Sequence, residues 1–147
     1  MDLYEQHHTH LVRVHAALGD ALRAVVDAAT AVAAGQFLLG HHHAESAVLF
    51  PGLRRHGRLA SDDLAFLDAR DREHTELHHL CERLLGEAGR GAPRGAELRT
   101  IASEILLRFL PHIAEEEEGL APARLRRLID PAGLAELGRE LEAARKS

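Results

Sequence analysis

Cysteine is nearly absent. The one thiol, Cys81, excludes an intramolecular disulfide and any zinc site built on cysteine, and it fits a reducing compartment. Long hydrophobic runs are missing too: no segment is apolar for long enough to span a bilayer, and MDLYEQHHTH at the start lacks the basic-then-apolar pattern of a signal peptide. A cytoplasmic protein is the expectation. Positive charge is in deficit. With 18 Lys and Arg against 23 Asp and Glu, the net charge of -5 gives no reason to expect nucleic acid or an anionic membrane as a partner. Strand-like alternation is absent, whereas helical spacing runs from end to end, so the expected fold class is all-α. What is present is a chain of 147 residues, long enough to bury one core and read as one domain over 1–147, with an unusual 12 histidines.

The histidines are most informative in GHHHAESAVLFPGL, Gly40 to Leu53. His41 and Glu45 are four apart, which on a helix stacks them on one face, close enough to hold one metal between imidazole and carboxylate. Leu38, Val48 and Leu49 continue that face, so both polar groups point toward a core. A charge there is costly unless it is protonated, hydrogen-bonded or coordinated. Consecutive helical residues fan out by roughly 100° each, so His42 and His43 are expected on a solvated surface.

In chain order, Asp2 caps a first helix reaching about Val26, with Leu11, Leu18, Leu22 and Val25 as a stripe and His15 upon it. A turn is expected near 27–31, where Asp27 and Thr30 are the capping residues. The second helix ends around Leu53 to Gly57. Ser61, Asp62 and Asp63 open a third helix, favoured by the helix dipole, with Leu67, His74, Leu77, His78, Cys81 and Leu85 on one side. Here His74 and His78 repeat the spacing of four. Gly89 to Gly95, GRGAPRG, is the clearest loop. The fourth helix aligns Leu98, Ile101, Ile105, Phe109, His112 and Glu116, repeating His-x-x-x-Glu, with Pro111 expected to kink it. Asp130-Pro131 starts a short amphipathic helix, about 130–145, that serves as a lid.

Helices joined by short loops pack as an up-down-up-down antiparallel four-helix bundle, about 2–125, with the short extra helix at its C-terminus. In a helical hairpin, residues equally far from the turn share a level. His15 and His41 are centred on 28, His41 and His74 on 57.5, and His74 and His112 on Pro93, all at proposed turns. Four helices thus deliver a histidine to one layer. Glu45 and Glu116 at that layer could each bridge two cations. Nitrogen and carboxylate donors without thiolate favour iron or manganese, though zinc is compatible with them.

These residues resemble the hemerythrin family, the HHE cation-binding domains, through VHAALGDAL around His15, HHHAESAVLFPGL, REHTELHHL around His74 and His78, and HIAEEEEGLAP around His112 and Glu116. The resemblance covers about 10–125. It implies a bundle holding a non-haem di-iron centre, two iron ions bridged by the carboxylates with an oxo or hydroxo group, that binds dioxygen, peroxide or nitric oxide. The implied ligands are His15, His41, Glu45, His74, His78, His112 and Glu116. Ser46 stands where many relatives have a second acid. Two choices stay open: Glu117 matches relatives with a longer spacing, and His8 shares a face with His15.

The functional expectation is oxygen binding or sensing, or an oxidative-stress role. The alternatives are a catalase- or peroxidase-like enzyme or an oxygen-dependent oxidase on the same centre, a ferritin-like carboxylate protein using Glu5 with His8 and Glu76 with His79, or a metal-free interaction module. A sensor would need a separate output partner.

Overall fold

A computed structural model describes residues 1–91 and 94–146. All regular structure among them is helical: α1 (Leu3–Arg23), α2 (Ala28–Ala44), a π-helical turn (Glu45–Leu49), α3 (Phe50–His56), α4 (Ser61–Ala88), α5 (Gly95–Gly119), α6 (Pro122–Leu128) and α7 (Pro131–Lys146). No helix among the described residues is long and apolar enough to cross a membrane.

The helix ends follow from local chemistry. Asp2 accepts the Glu5 N–H while Glu5 accepts the Asp2 N–H, a reciprocal cap of α1. Asp27 and Thr30 form the same arrangement on α2, with the Thr30 N–H donating to Asp27 Oδ1 at 2.9 Å. Thr30 is therefore inside the first turn of α2, and the break falls at 24–27, earlier than expected, because Asp27 is the cap. Gly57 ends α3, with backbone oxygens of Leu53 and Leu128 at 2.4 and 2.7 Å from where a Cβ would be. Asp130 caps α7 by accepting the Gly133 N–H at 2.7 Å. Pro111 is inside α5 without ending it. Of the loop read at 89–95, Ala92 and Pro93 lie outside the described residues.

Two features differ from the sequence reading. The helix carrying HHHAE widens into a π turn, with the Phe50 N–H donating to Glu45 O. The widening sits where Pro51 removes a donor and crowds the preceding turn. A further helix, α6, begins at Pro122, a proline placed where its missing N–H is not needed.

The packing is that of a helical bundle: α1 lies against α2 and α5, and α4 against the same two. α6 lies on α1, and α7 covers the π turn, α3 and α1. Its interior divides into two dry clusters. One contains Leu18, Leu38, Leu77, Ile105 and Phe109; the other contains Leu11, Leu49, Phe50, Leu67 and Leu120, under α6 and α7. Between them, on every one of the four long rods, the chain places polar side chains.

Candidate metal centre

Those polar side chains are His15 on α1, His41 and His42 on α2, Glu45 at the π turn, His74 on α4, and His112 with Glu116 on α5. All are buried except His41, whose side chain is 12% exposed. Their donor atoms form two groups, His42, Glu45, His74 and His112, and His15, His41, Glu45 and Glu116, each with its atoms within 4.8 Å of one another. Glu45 belongs to both. Glu116 faces both as well, with Oε1 3.1 Å from His15 Nε2 and Oε2 3.3 Å from His112 Nε2 and 3.9 Å from His74 Nε2. Three imidazoles lie on one side, two on the other, and two carboxylates in between.

The hydrogen bonds around the layer decide where its lone pairs point. His15 Nδ1 bonds Glu117 at 2.8 Å, and His112 Nδ1 bonds Glu73 at 2.7 Å. His74 Nδ1 donates to Ser46 Oγ at 2.7 Å, and the Ser46 hydroxyl donates to Asp71 at 2.6 Å. Each of these rings spends its Nδ1–H on an outer acceptor, which fixes the tautomer and turns the Nε2 lone pair inward. Those Nε2 atoms crowd one another and the carboxylates: His74 Nε2 is 3.2 Å from His112 Nε2 and 3.2 Å from Glu45 Oε1. His41 Nε2, His42 Nε2, both Glu45 oxygens and Glu116 Oε2 are buried without a hydrogen-bond partner. Inward lone pairs at these separations repel unless positive charge lies among them.

The titration of the groups agrees. Burial, then the neighbouring imidazoles, holds His41 down to about 4 and His74 to about 3, and pushes His42 lower still. Burial and the Glu116 charge raise the Glu45 carboxyl well above the usual range. Burial works against ionised Glu116, but the adjoining Glu45 carboxyl and the His112 and His15 imidazoles outweigh it and hold its pKa well below that range. His112 is also penalised by burial, yet Glu116 and Glu73 raise it. Neutral His41, His42 and His74 around one firmly ionised carboxylate suit a divalent cation of the first transition row, and this donor set fits such an ion.

The structure brings together six of the seven residues implied by the resemblance and separates the seventh. His78 is 54% exposed and pairs with Glu82 on its own helix, which corrects the expectation that it joins the layer. The seam of α4 continues from His74 to Leu77, leaving His78 at its edge. His42, expected on a solvated surface, is 6% exposed and stacks on His74 with ring centroids 4.0 Å apart. Two of three consecutive histidines reach inward because they straddle the buried face, and only His43 is out. Of the open alternatives, Glu117 is behind His15 and 28% exposed. His8 faces the Glu117 carbonyl at 3.2 Å and stays outside both donor groups. The ferritin-like set is not assembled, since Glu5 serves the α1 cap and Glu76 is on the surface with Arg108.

Outer partners were not read from sequence. Asp71 and Glu73 are within three residues of His74, and their acidity beside a candidate ligand is the available signal. Arg70 locks Glu73 at 2.9 Å and Glu115 at 2.6 Å from a buried position over the Phe66 ring.

No curated protein and no solved structure matches the chain. Residues 1–124 match the family model of the hemerythrin HHE cation binding domain, and all six inward ligand candidates that the motifs point to fall inside that span. A match over most of the chain, joined to a buried layer of imidazoles and carboxylates, means that this protein belongs to the hemerythrin HHE cation-binding family.

Proposed function

We propose that α1, the rod from α2 to α3, α4 and α5 act as an up-down-up-down four-helix bundle around two iron ions, and that the protein binds dioxygen, peroxide or nitric oxide there. The supporting observation is the inward set of lone pairs without hydrogen partners on His41, His42, Glu45 and Glu116. His42, His74 and His112 would hold one ion, His15 and His41 the other, and Glu45 and Glu116 both. Iron in this setting supplies reversible redox chemistry and affinity for small diatomic ligands.

The chain's own residues set the rest. The two-imidazole side has one donor fewer, which leaves it the side for an exogenous ligand. Phe109 stands edge-on to His15 with ring centroids 6.1 Å apart, and Phe50 stacks on His74 at 5.6 Å. With the leucines above and below they make the surroundings of the centre largely apolar, so charge there is felt strongly. Glu117, Glu73 and Ser46 with Asp71 hold the rings in orientation. An enzyme acting on peroxide is a second reading, favoured by a groove that reaches His42 and His74 from the surface.

The test is metal analysis and electronic spectroscopy of the purified protein. Two irons per chain with a ligand-to-metal band that shifts on azide or nitric oxide are expected. A protein that takes up no iron, even after anaerobic reconstitution, would overturn the proposal. Peroxide addition separates the readings: one stoichiometric spectral change supports binding, and sustained turnover supports the enzyme.

A further inference from the structure

An open groove of about 780 Å³ runs between α2 and α4. Gly40 and His43 form its α2 wall; Asp71, Thr75 and His78 form its α4 wall; His42 and His74 are at its floor. The floor residues belong to the three-imidazole group, and His42 Nε2 there is buried with no hydrogen-bond partner. His43 and His78 at the walls are exposed, and neither is in the two donor groups.

We propose that this groove is the path by which divalent first-row cations enter the buried layer, a proposal that rests on the metal-centre reading above. The chemistry along it suits that cargo at every level. His43 and His78 offer imidazoles at the rim, with Glu82 paired to His78. Below them the Asp71 carboxylate, 35% exposed, bonds Ser46 and lies 3.8 Å from Arg54, and His42 and His74 follow. Imidazole nitrogen and carboxylate oxygen are both donors for such ions, so the groove offers ligands at its walls as well as at its floor.

Gly40 is the second sign. Glycine within a helix costs about 1 kcal/mol relative to alanine, and here a Cβ would meet nothing within 4 Å. Packing does not require the glycine. Its effect is to leave the wall low, and a large side chain at 40 would occupy groove volume. Away from the groove the layer is more enclosed: His41 is 12% exposed, His15 and Glu116 are buried, and apolar clusters lie above and below.

The experiment mixes chelator-stripped full-length protein with excess cobalt(II), following visible absorbance in a stopped-flow instrument, with bound metal counted at equilibrium. Gly40→Trp should load about tenfold more slowly, and the His43→Ala/His78→Ala pair a few-fold more slowly, both with the parent's final cobalt count. Loading within about twofold of the parent in the histidine pair, or in a folded Gly40→Trp, would overturn the proposal. Slowing by His8→Ala/His10→Ala in place of these variants would also overturn it and put the entrance beside α1. A parent that binds no cobalt at equilibrium removes the metal-centre reading itself, an outcome distinct from a change in rate alone.

Discussion

α4 and α5 each present a histidine followed, four residues on, by another possible ligand, yet only α5 turns both inward. The buried stripe of α4 steps through Leu67, Arg70, His74, Leu77, Cys81, Leu84 and Ala88, alternating three and four residues. From His74 the next step is three, so Leu77 takes the inward place and His78 falls about 100° past it, at the rim. On α5 the stripe steps from Phe109 to His112 by three and from His112 to Glu116 by four, so the acid lands in the layer. A spacing of four therefore brings two residues to one face, and the phase of the stripe decides whether that face is buried.

The strongest break of this comparison is Glu116→Ala set against His78→Ala. The Glu116 carboxylate approaches His15, His74 and His112, so its removal should lower metal affinity by more than about 100-fold, whereas His78→Ala should keep the parent's metal count and affinity. Competition with a chelator followed by metal counting measures both. The same stripe of α5 ends at Gly119, where a Cβ would be 2.2 Å from the Phe66 ring of α4. Gly119→Ala should cost about 1–3 kcal/mol of stability in denaturant unfolding, with no loss of ligands.

On α2 the test is His42→Ala against His43→Ala. The first should weaken binding of one ion by about tenfold or more, and the second should leave equilibrium affinity unchanged. Ser46→Ala should weaken it by about tenfold through His74, with Ser46→Thr restoring it, since the hydroxyl alone joins the ring to Asp71.

The smallest effect is a matter of reactivity. Burial pushes the Cys81 thiol up to about 12, so below that pH it stays protonated and should not react with an aromatic disulfide reagent at pH 8 until the protein unfolds. A thiol introduced by His78→Cys should react at once in the native state.

Much of the layer was legible because apolar periodicity frames it. Leu11 and Leu18 bracket His15, and Phe109 leads into His112 and Glu116. The capping residues Asp2, Asp27 and Asp130 mark starts that the structure keeps. The His42 and His78 placements were not legible from spacing alone. A stripe drawn through Leu85 carries His78 inward, whereas the fully buried residue is Leu84, and that one-residue difference in phase leaves His78 outside. His42 is four past the buried Leu38, so it shares that inward face although consecutive helical residues fan out by roughly 100°. The π turn was hidden because its cause, Pro51, reads as a helix stop. Glu73 and Asp71 on α4 meet His112 on α5 and Ser46 in the π turn, contacts that only the packing of neighbouring helices creates.

The π turn at Glu45–Leu49 has one last consequence. Its extra residue means that the two halves of this rod are written in different reading frames: Ala34 and Leu38 serve the upper dry cluster in one, Phe50 and Leu53 the lower cluster in the other. Deleting a single residue from the bulge would straighten the rod and swing one half by about 100° relative to the other. The chain would then have to choose between seating its imidazoles and closing its base.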